Sequence, residues 1–279
     1  MLNVCATPIG NLADITLRAI DTLNQSDIIL CEDTRNSKHL LNHHGIKYKQ
    51  LVALHDHNEN EVSEKVLEWL QSGLTITLIS DAGTPGVSDP GSRLCKKILQ
   101  QGLKLSPIPG ASAYISLLSV AGLDMPSMFY GFLPSQHGGR VKILENWQNV
   151  SYAVCIYEAP HRIIECVTDI IATLGENREI IMGRELTKQF ETIKRCSSCE
   201  LLEFIELDSN QRRGEFALII VPESKKSDDV ETLTPEQIST LKLLLPELPP
   251  KKAVQITHKI CGGNKDLLYD LSLQIKKAV

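Results

Sequence analysis

Short apolar runs alternate with helical patterns along the first 121 residues of the chain. The runs have the length of buried strands, and they lie at 2–6, 28–31, 51–54, 74–79 and 103–108. Apolar residues recur with helical spacing at 15–25, 34–44, 59–72, 90–101 and 111–121. Strands that alternate with helices predict a parallel sheet with helices on its faces. We therefore expect an N-terminal α/β domain over residues 1–115.

A second set of apolar runs predicts a second α/β domain over residues 116–222. The runs at 152–157 and 216–221 are uninterrupted, as is typical of strands that are buried on both faces. Weaker strand patterns lie at 179–183 and 193–196. Between the first two runs, residues 163–174 place their apolar side chains on one face of a helix. The expected fold class is thus α/β with two domains.

The C-terminal residues form a distinct, basic segment. Residues 223–231 are charged and lack apolar periodicity, so they predict a linker. Thr234 and Gln237 fit a capping box at the start of a helix, and further short helices are expected near 250–261 and 264–277. Residues 234–279 carry a charge of +3 and the rest of the chain −8. This asymmetry favours a small helical module that faces a polyanion, with a merely solvated helical surface as the alternative.

Whole-chain features narrow the class of protein. The chain has 279 residues, 42% of them hydrophobic and 23% charged, which is ordinary for a globular protein. No apolar run approaches the ~18 residues of a membrane span, and the N-terminus reads as a strand rather than a signal peptide. Eight cysteines are scattered, mostly within apolar runs, as in reduced proteins. We therefore expect a cytoplasmic protein without a membrane partner.

The loop at 80–91 is dense in glycine and proline. It follows a predicted strand and precedes a predicted helix, so it lies where open α/β proteins usually bind ligands. Ser88 or Asp89, with Pro90 next, fits the N-terminal cap of that helix. A tight structural turn is the alternative, but so many residues with special backbone preferences favour a ligand loop.

The sequence of this loop does not match a phosphate-binding motif. Gly86 and Gly91 have the spacing of a P-loop, but Ser92-Arg93 follows where Lys-Ser/Thr is required. Asp81 and Asp89 would repel a phosphate and would suit a ligand that carries positive charge.

Five polar clusters follow predicted strands. They are Thr7–Asn11, Glu32–Arg35, His55–Glu59, Tyr157–Arg162 and Arg184–Lys188. Each has a structural alternative; for example, Asp33 or Thr34 can cap a helix, and His55 can be a buried core histidine. Together they predict a cleft that both domains share.

Metal sites are weakly supported, and we expect none. Cys196 and Cys199 form a lone CxxC without a second pair. His55 and His57 with Asp33 fit a hydrolytic metal only if a loop brings them to the same side of the strand.

The assembled motifs resemble a known family. The chain resembles the bacterial small-subunit (16S) ribosomal RNA cytidine 2′-O-ribose methyltransferases, within the tetrapyrrole-methylase superfamily. The resemblance rests on ATPIGNL, CEDTR, HDHNE, SDAGTPGVSDPG, PIPGASA, YEAPHR, RELTK and GEF, which lie in that order across about residues 3–221. Thr84 stands where the wider superfamily has aspartate, and this departure points away from tetrapyrrole substrates.

The resemblance implies a methyl transfer that uses S-adenosylmethionine, held in a cleft between two α/β domains of a homodimer. It implies as cofactor-binding residues Pro8, Gly10, Thr84, Pro85, Val87, Ser112, Ala113, Tyr157, Phe216 and Ala217. Asp81 joins this set because its carboxylate suits the cationic sulfonium. The implied RNA substrate, 16S ribosomal RNA in the small ribosomal subunit, would dock on the basic C-terminal module.

The acceptor hydroxyl requires positioning and a base. Asp33, Glu185 and His57 are the candidate bases, and the sequence does not rank them. Arg35, Arg162, Arg184 and Lys188 are predicted to hold phosphates of the RNA, and Asn11, Asn58 and Tyr157 to orient its ribose or base.

Three other classes of function remain open at this point. A tetrapyrrole or other small-molecule methyltransferase would use the same cofactor but leaves the basic tail unexplained. A metal-dependent hydrolase on Asp33, His55 and His57 predicts tight metal binding. A catalytically silent RNA-binding module predicts no binding of S-adenosylmethionine.

Overall fold

The structure is a computed structural model that describes residues 1–55, 57–223 and 233–277. The chain divides into two compact units, residues 1–223 and 224–279. In the described residues, the first unit holds two five-stranded sheets and the second unit holds three helices. Within the described ranges, no helix combines the length and the apolar character needed to cross a membrane.

The first sheet is parallel, as predicted. Its strands are β1 (Leu2–Cys5), β2 (Ile28–Cys31), β3 (Leu51–Ala53), β4 (Ile76–Leu78) and β5 (Leu105–Ile108), in the spatial order β3-β2-β4-β1-β5. The helices that follow the strands are α1 (Leu17–Gln25), α2 (Thr34–His43), α3 (Glu59–Gln71), α4 (Ser92–Gln100) and α5 (Ala113–Val120). The ends differ from the predicted ones by at most two residues. Because β1 lies between β4 and β5, the loops after these three strands meet at one edge.

The second sheet is mixed. Its strands are β6 (Ser127–Phe132), β7 (Ala153–Glu158), β8 (Glu179–Arg184), β9 (Thr192–Ser197) and β10 (Phe216–Ile220), in the order β6-β7-β10-β8-β9. β6 runs parallel to β7, and the other neighbours are antiparallel. Its helices are α6 (His137–Glu145), α7 (Ile163–Leu174) and α8 (Ser198–Leu207). Consequently, β10 starts at the edge where β7 and β8 end.

The strand β6 and the α-helices α6 and α8 were not predicted from the sequence. The pairing of β6 shifts register between Phe129 and Gly131, and α6 has no apolar stripe that would reveal it. α8 did have a recognisable signal, since Ser197 and Glu200 form a capping box at its start.

The predicted domain boundary at 115/116 falls inside α5. Leu117 and Ala121 pack against β7, β8 and β10 through Cys155, Ile181 and Ile219. The helix that follows β5 therefore belongs to the core of the second sheet, and it joins the two domains into one unit.

The predicted cap of α4 is wrong. The helix begins at Ser92, after Gly91 at a φ of 118°. Glu59 from α3 takes the place of a cap, since its buried carboxylate accepts hydrogen bonds from the backbone N–H groups of Gly91, Arg93 and Leu94 at 3.0–3.2 Å. A carboxylate there also offsets the positive end of the helix dipole, so no cap from Ser88 or Asp89 is needed.

The C-terminal unit contains α9 (Pro235–Leu244), α10 (Pro250–Cys261) and α11 (Lys265–Lys277), close to the predicted bounds. The capping box of Thr234 and Gln237 is confirmed. Leu241, Ala253 and Leu268 belong to a small core of this unit. The predicted linker at 223–231 lies, apart from Glu223, outside the described residues, as do residues 278–279.

Candidate active site

The loops after β1, β4 and β5 are bonded to one another. Thr7 and Gly83 exchange backbone hydrogen bonds of 2.8 and 3.0 Å, which form an isolated antiparallel bridge. Thr84 Oγ1 donates to the carbonyl of Ala111 at 3.1 Å. Gly83 has a φ of 84°, a conformation that favours glycine. The Gly/Pro-rich loop is therefore held in one shape by its two neighbours.

Asp81 ties the loop after β4 to α2. Its carboxylate accepts hydrogen bonds from the backbone N–H of Asp33 at 3.1 Å and from Asn36 Nδ2 at 2.8 Å. Both donors lie at the start of α2, where the helix dipole favours a negative charge.

The second sheet contributes its facing edge. Phe216 pairs with Glu158 and Arg184, and Ala217 pairs with Tyr157 and Gly183. This register brings the start of β10 between the ends of β7 and β8. Tyr157 Oη accepts a hydrogen bond of 2.9 Å from the backbone N–H of Tyr114, and burial raises the pKa of the Tyr157 hydroxyl to about 12.

A cavity of about 330 Å³ lies between these edges of the two domains. Its walls combine apolar residues with a few acidic ones. The first domain contributes Ile9, Ala82, Gly83, Thr84, Val87, Ser88, Asp89, Ser112 and Ala113. The second contributes Phe132, Tyr157, Glu158, Ala159, Pro160, Gly183, Leu186, Glu215, Phe216 and Ala217.

The acidic wall of this cavity suits a ligand with hydrogen-bond donors and positive charge. Glu158 lines it, but its side chain is fully buried and its Oε1 lies 3.2 Å from Arg162 Nε, so its charge is already paired. Burial, together with the negative charge of Glu32, raises the pKa of Asp89 to about 7. A bound cation would offset the cost of ionising Asp89.

A second cavity, of about 300 Å³, adjoins the first. It is lined by Pro8, Ile9, Gly10, Leu12, Asn36, His39, Leu40, Asp81, Ala82, Lys188 and Glu215. Ile9, Ala82 and Glu215 belong to both cavities. The two spaces therefore share a wall.

Strained backbone is concentrated around these cavities. Ser88, Glu185 and Thr187 have positive φ angles of 65°, 51° and 68°. Ser88 lines the first cavity, and Glu185 and Thr187 lie in the loop just before Lys188, which lines the second. Such conformations cost energy and are typical of functional sites.

The structure sorts the predicted cofactor residues into three groups. The first cavity is lined by Thr84, Val87, Ser112, Ala113, Tyr157, Phe216 and Ala217. Pro8, Gly10 and Asp81 line the second. Pro85 is buried within the loop and lines neither.

Two of the three candidate bases are carboxylates that already pair with a cationic side chain. Asp33 caps α2 and pairs with Arg35 at 2.7 Å, and these hydrogen bonds lower its pKa to about 2. Glu185 accepts a hydrogen bond of 2.9 Å from Lys188 Nζ; this bond and that from the Glu215 N–H outweigh desolvation, so its pKa is lowered. His57 is exposed and lines neither cavity, because β3, which precedes it, is the outer strand of its sheet.

Two predicted phosphate ligands have structural roles instead. Arg184 is buried, and its guanidinium donates to the carbonyls of Arg213, Phe190 and Asn210. Arg162 lies against Glu158 at 3.2 Å and donates to the carbonyl of Leu133. Guanidinium groups held in this way, by carbonyl oxygens or by a buried carboxylate, have little left to offer a phosphate.

The remaining residues that were predicted to contact RNA differ in where they lie relative to the two cavities. Arg35 is exposed at the start of α2, and Lys188 lines the second cavity. Asn11 and Asn58 turn their side chains to the local backbone, where Asn11 caps a short 3₁₀ helix and Asn58 bonds the backbone of Ala53 and His55. These asparagines therefore hold loops rather than face either cavity.

Residues that the site predictions missed include Glu158, Phe132, Asn36 and His39. Glu158 belongs to the YEAPHR motif, which the sequence analysis had already recognised. Asn36 and His39 lie one helical turn apart, just after the CEDTR motif. Phe132 lies in the strand that was not predicted. Among the described residues, which exclude Asp56, no cluster of three His, Cys, Asp or Glu side chains could hold a metal ion. All eight cysteines are free thiols.

Comparison with protein families identifies two matching models. The model described as Tetrapyrrole (Corrin/Porphyrin) Methylases matches residues 1–202. The model described as RsmI C-terminal HTH domain matches residues 231–276.

Curated relatives match over nearly the full chain. A protein of Escherichia coli O157:H7 named ribosomal RNA small subunit methyltransferase I is 43% identical, covering 98% of this chain and 94% of its own. Proteins of the same name from Haemophilus influenzae and Neisseria meningitidis serogroup B are 43% and 40% identical, over 98% and 99% of this chain and 96% and 94% of theirs.

Solved structures share the fold at low identity. Diphthine synthase has a TM-score of 0.61 at 16% identity, covering 80% of this chain and 90% of its own. Uroporphyrin-III C-methyltransferase from Thermus thermophilus, complexed with S-adenosylhomocysteine, has a TM-score of 0.54 at 15% identity, covering 80% and 97%. The two-sheet architecture is therefore shared by enzymes with different substrates.

Proposed function

Because the chain belongs to the tetrapyrrole methylase family and, over its full length, to the ribosomal RNA small subunit methyltransferase I proteins, we propose that it methylates RNA of the small ribosomal subunit. The proposed donor is S-adenosylmethionine, and the proposed acceptor is the 2′-hydroxyl of a cytidine in 16S ribosomal RNA. The observation that carries the proposal is the first cavity, with its apolar walls and acidic groups.

The residues of the first cavity fit S-adenosylmethionine. Asp89 and Glu215 line the cavity, and their carboxylates suit the positive charge of the sulfonium. Phe132, Phe216 and Ala217 supply the apolar surface that an adenine ring requires. When bound, the sulfonium supplies an activated methyl carbon, which passes to the acceptor oxygen as the C–S bond breaks and a neutral thioether leaves.

The protein's contribution is mainly positioning. The bonded loops after β1, β4 and β5 fix the walls of the cavity, so that donor and acceptor can be held in line. The acceptor oxygen must lose its proton to a base or to water. Asp33 and Glu185 are poorly suited as bases, because cationic partners stabilise their charged forms.

Several finer points belong to this proposal. The resemblance implies a homodimer, for which sedimentation velocity would report twice the mass of one chain. The free thiols and the ribosomal substrate support a cytoplasmic location. The basic C-terminal unit supports docking of ribosomal RNA or of the assembled small subunit.

Filling the first cavity tests the proposed donor site. Ala113 lines it at the start of α5, and Ser119 lies exposed near the end of the same helix. We expect Ala113→Phe to weaken binding of S-adenosylmethionine by more than ~100-fold, because the ring occupies the ligand's space. Ser119→Phe adds the same bulk outside the cavity and should leave calorimetric binding unchanged.

The acceptor is tested with a tritiated-methyl assay on small subunits from cells that lack the modification. The wild type should label 16S ribosomal RNA, and mapping should place the label on one cytidine ribose. Binding of the cofactor without any labelled RNA would contradict the proposed acceptor, and label on a tetrapyrrole would favour the small-molecule alternative.

A further inference from the structure

The second cavity adjoins the proposed cofactor site, and three of the predicted cofactor residues, Pro8, Gly10 and Asp81, lie in its wall. It lies between the loop after β1, helix α2 and the loop that carries Lys188. Its wall mixes the side chains of Leu12 and Leu40 with the polar groups of Asn36, His39 and Asp81. Polar groups at a few points of an apolar wall are typical of sites that bind a small organic group in a fixed orientation.

The two cavities meet at a wall formed by Ile9, Ala82 and Glu215. Methyl transfer requires the donor carbon and the acceptor oxygen to come within about 3–3.5 Å. An acceptor for a donor held in the first cavity must therefore reach this shared wall. The second cavity is the space that opens on it.

The chemistry of the second cavity suits a nucleotide. Asn36 can donate and accept hydrogen bonds at the polar edge of a base, and His39 offers a ring that can stack or form a hydrogen bond. Among the described residues that line the cavity, Lys188 is the one with a permanent positive charge. Its Nζ already donates to Glu185 and Glu215, and its third N–H can donate to a ribose oxygen.

The polar groups of the cavity are held in place before any ligand binds. Asn36 Nδ2 donates to Asp81 at 2.8 Å. Lys188 Nζ donates to Glu185 and Glu215 at 2.9 and 3.0 Å. The stem of Lys188 packs on Gly10 so closely that a Cβ there would collide with it. Such preorganisation lowers the cost of fixing a substrate.

We propose that the second cavity takes the acceptor nucleotide of the RNA, with His39 and Asn36 on α2 as its recognising residues. This inference rests on the proposed function, since it names where the RNA enters. His39 would touch the substrate directly. Asn36 would contact it from a position that its hydrogen bond to Asp81 fixes.

His39→Ala tests the proposal, and His43→Ala is its matched control. Both histidines are exposed on α2, but His43 does not line the cavity. With small subunits as substrate, we expect His39→Ala to raise the KM for RNA about tenfold, the effect of one lost contact. The Kd for S-adenosylhomocysteine should stay within about twofold of the wild type, because the first cavity is untouched. His43→Ala should match the wild type in both measurements.

The conservative variant His39→Gln separates recognition from simple loss of packing. It keeps a hydrogen-bonding group and should recover part of the affinity for RNA. A His39→Ala enzyme whose KM for RNA equals that of the wild type and of His43→Ala would overturn the proposal. So would a parallel loss of cofactor and RNA affinity, because the cavity would then not be a separate acceptor site. Failure of the wild type itself to methylate RNA would instead refute the proposed function.

Discussion

Asp89 is a carboxyl group whose surroundings oppose its charge. It is half-buried in the wall of the first cavity, and burial, with the nearby charges of Glu32 and Asp81, raises its pKa to about 7. The hydrogen bond from Ser80 acts in the opposite direction and does not prevail. The group is thus poised to ionise when a cation arrives.

The free energy of unfolding should reflect this raised pKa. The folded protein holds the Asp89 proton up to about pH 7, whereas the unfolded chain releases it near pH 4, so the ionised group costs stability above pH 7. Allowing for screening by water, we expect Asp89→Asn to stabilise the ligand-free protein by about 1–2 kcal/mol at pH 8. The gain should shrink as the pH falls from 7 to 4, as read from thermal unfolding.

Binding should move in the opposite direction. At pH 8, Asp89→Asn should weaken the affinity for S-adenosylmethionine about tenfold and that for the neutral thioether S-adenosylhomocysteine much less. Equal losses for both ligands, or no loss for either, would mean that Asp89 does not face the sulfonium. Ser119→Asn is a control substitution of an exposed residue outside the cavity.

The roles of individual side chains were the hardest feature to predict from the sequence. The resemblance to a family, rather than the chemistry of single residues, pointed to Thr84, Val87 and Tyr157, and all three line the first cavity. Sequence reasoning assigned Arg184 to a phosphate, but its guanidinium donates to backbone carbonyls instead. Two of these carbonyls, those of Arg213 and Asn210, lie more than 25 residues further along the chain. Partners at such separations leave no local pattern in the chain.

Helix α4 depends on a residue from another helix. Glu59 of α3 is 2% exposed and receives three backbone N–H groups at the start of α4. The sequence placed a cap within the preceding loop, since capping is ordinarily local. The actual cap lies more than 30 residues earlier, so only the tertiary fold reveals it. It also frees the residues of the loop to line the cavity.

Removing this carboxylate should destabilise the protein. We expect Glu59→Ala to lower the free energy of unfolding by about 3 kcal/mol, because three buried N–H groups lose their acceptor. Glu59→Gln retains one acceptor oxygen and should cost about half as much. Urea denaturation measures both.

Glu61→Ala is the matched control on the same helix. Glu61 is exposed and forms an i,i+4 pair with Lys65, so its loss should change stability by less than about 0.5 kcal/mol. A Glu59→Ala protein as stable as Glu61→Ala would show that water replaces the carboxylate at no cost.

The whole molecule combines an acidic first unit with a basic C-terminal one. The charge asymmetry could be predicted from composition alone, and the parallel sheet from the alternation of strand and helix patterns. Both features are properties of long stretches of sequence. The mixed second sheet was harder to predict. Its strand order depends on pairings between β7, β8 and β10 that are far apart in the chain.

Helix α10 of the C-terminal unit carries exposed lysine side chains on one face. Lys251, Lys252, Gln255 and Lys259 are all exposed and follow the i, i+3, i+4 spacing of a single helix face. No acidic residue lies within the helix. α11, in contrast, carries Asp266 and Asp270 among its exposed residues. Charge complementarity therefore favours α10 as the helix that faces an RNA backbone.

Neutralising this face should weaken RNA binding without affecting the cofactor. In the full-length protein, we expect substitution of Lys251, Lys252 and Lys259 by Gln to reduce affinity for small-subunit RNA about tenfold near 0.15 M salt. The slope of log affinity against log salt should fall by about 2, since each lost phosphate contact to single-stranded RNA contributes about 0.7. Substitution of Lys96, Lys104 and Lys142 by Gln removes the same charge from exposed positions of the first unit and serves as the control. Equal losses in the two triple variants would assign the effect to net charge, and an unchanged salt slope in the α10 variant would exclude this face from RNA contact.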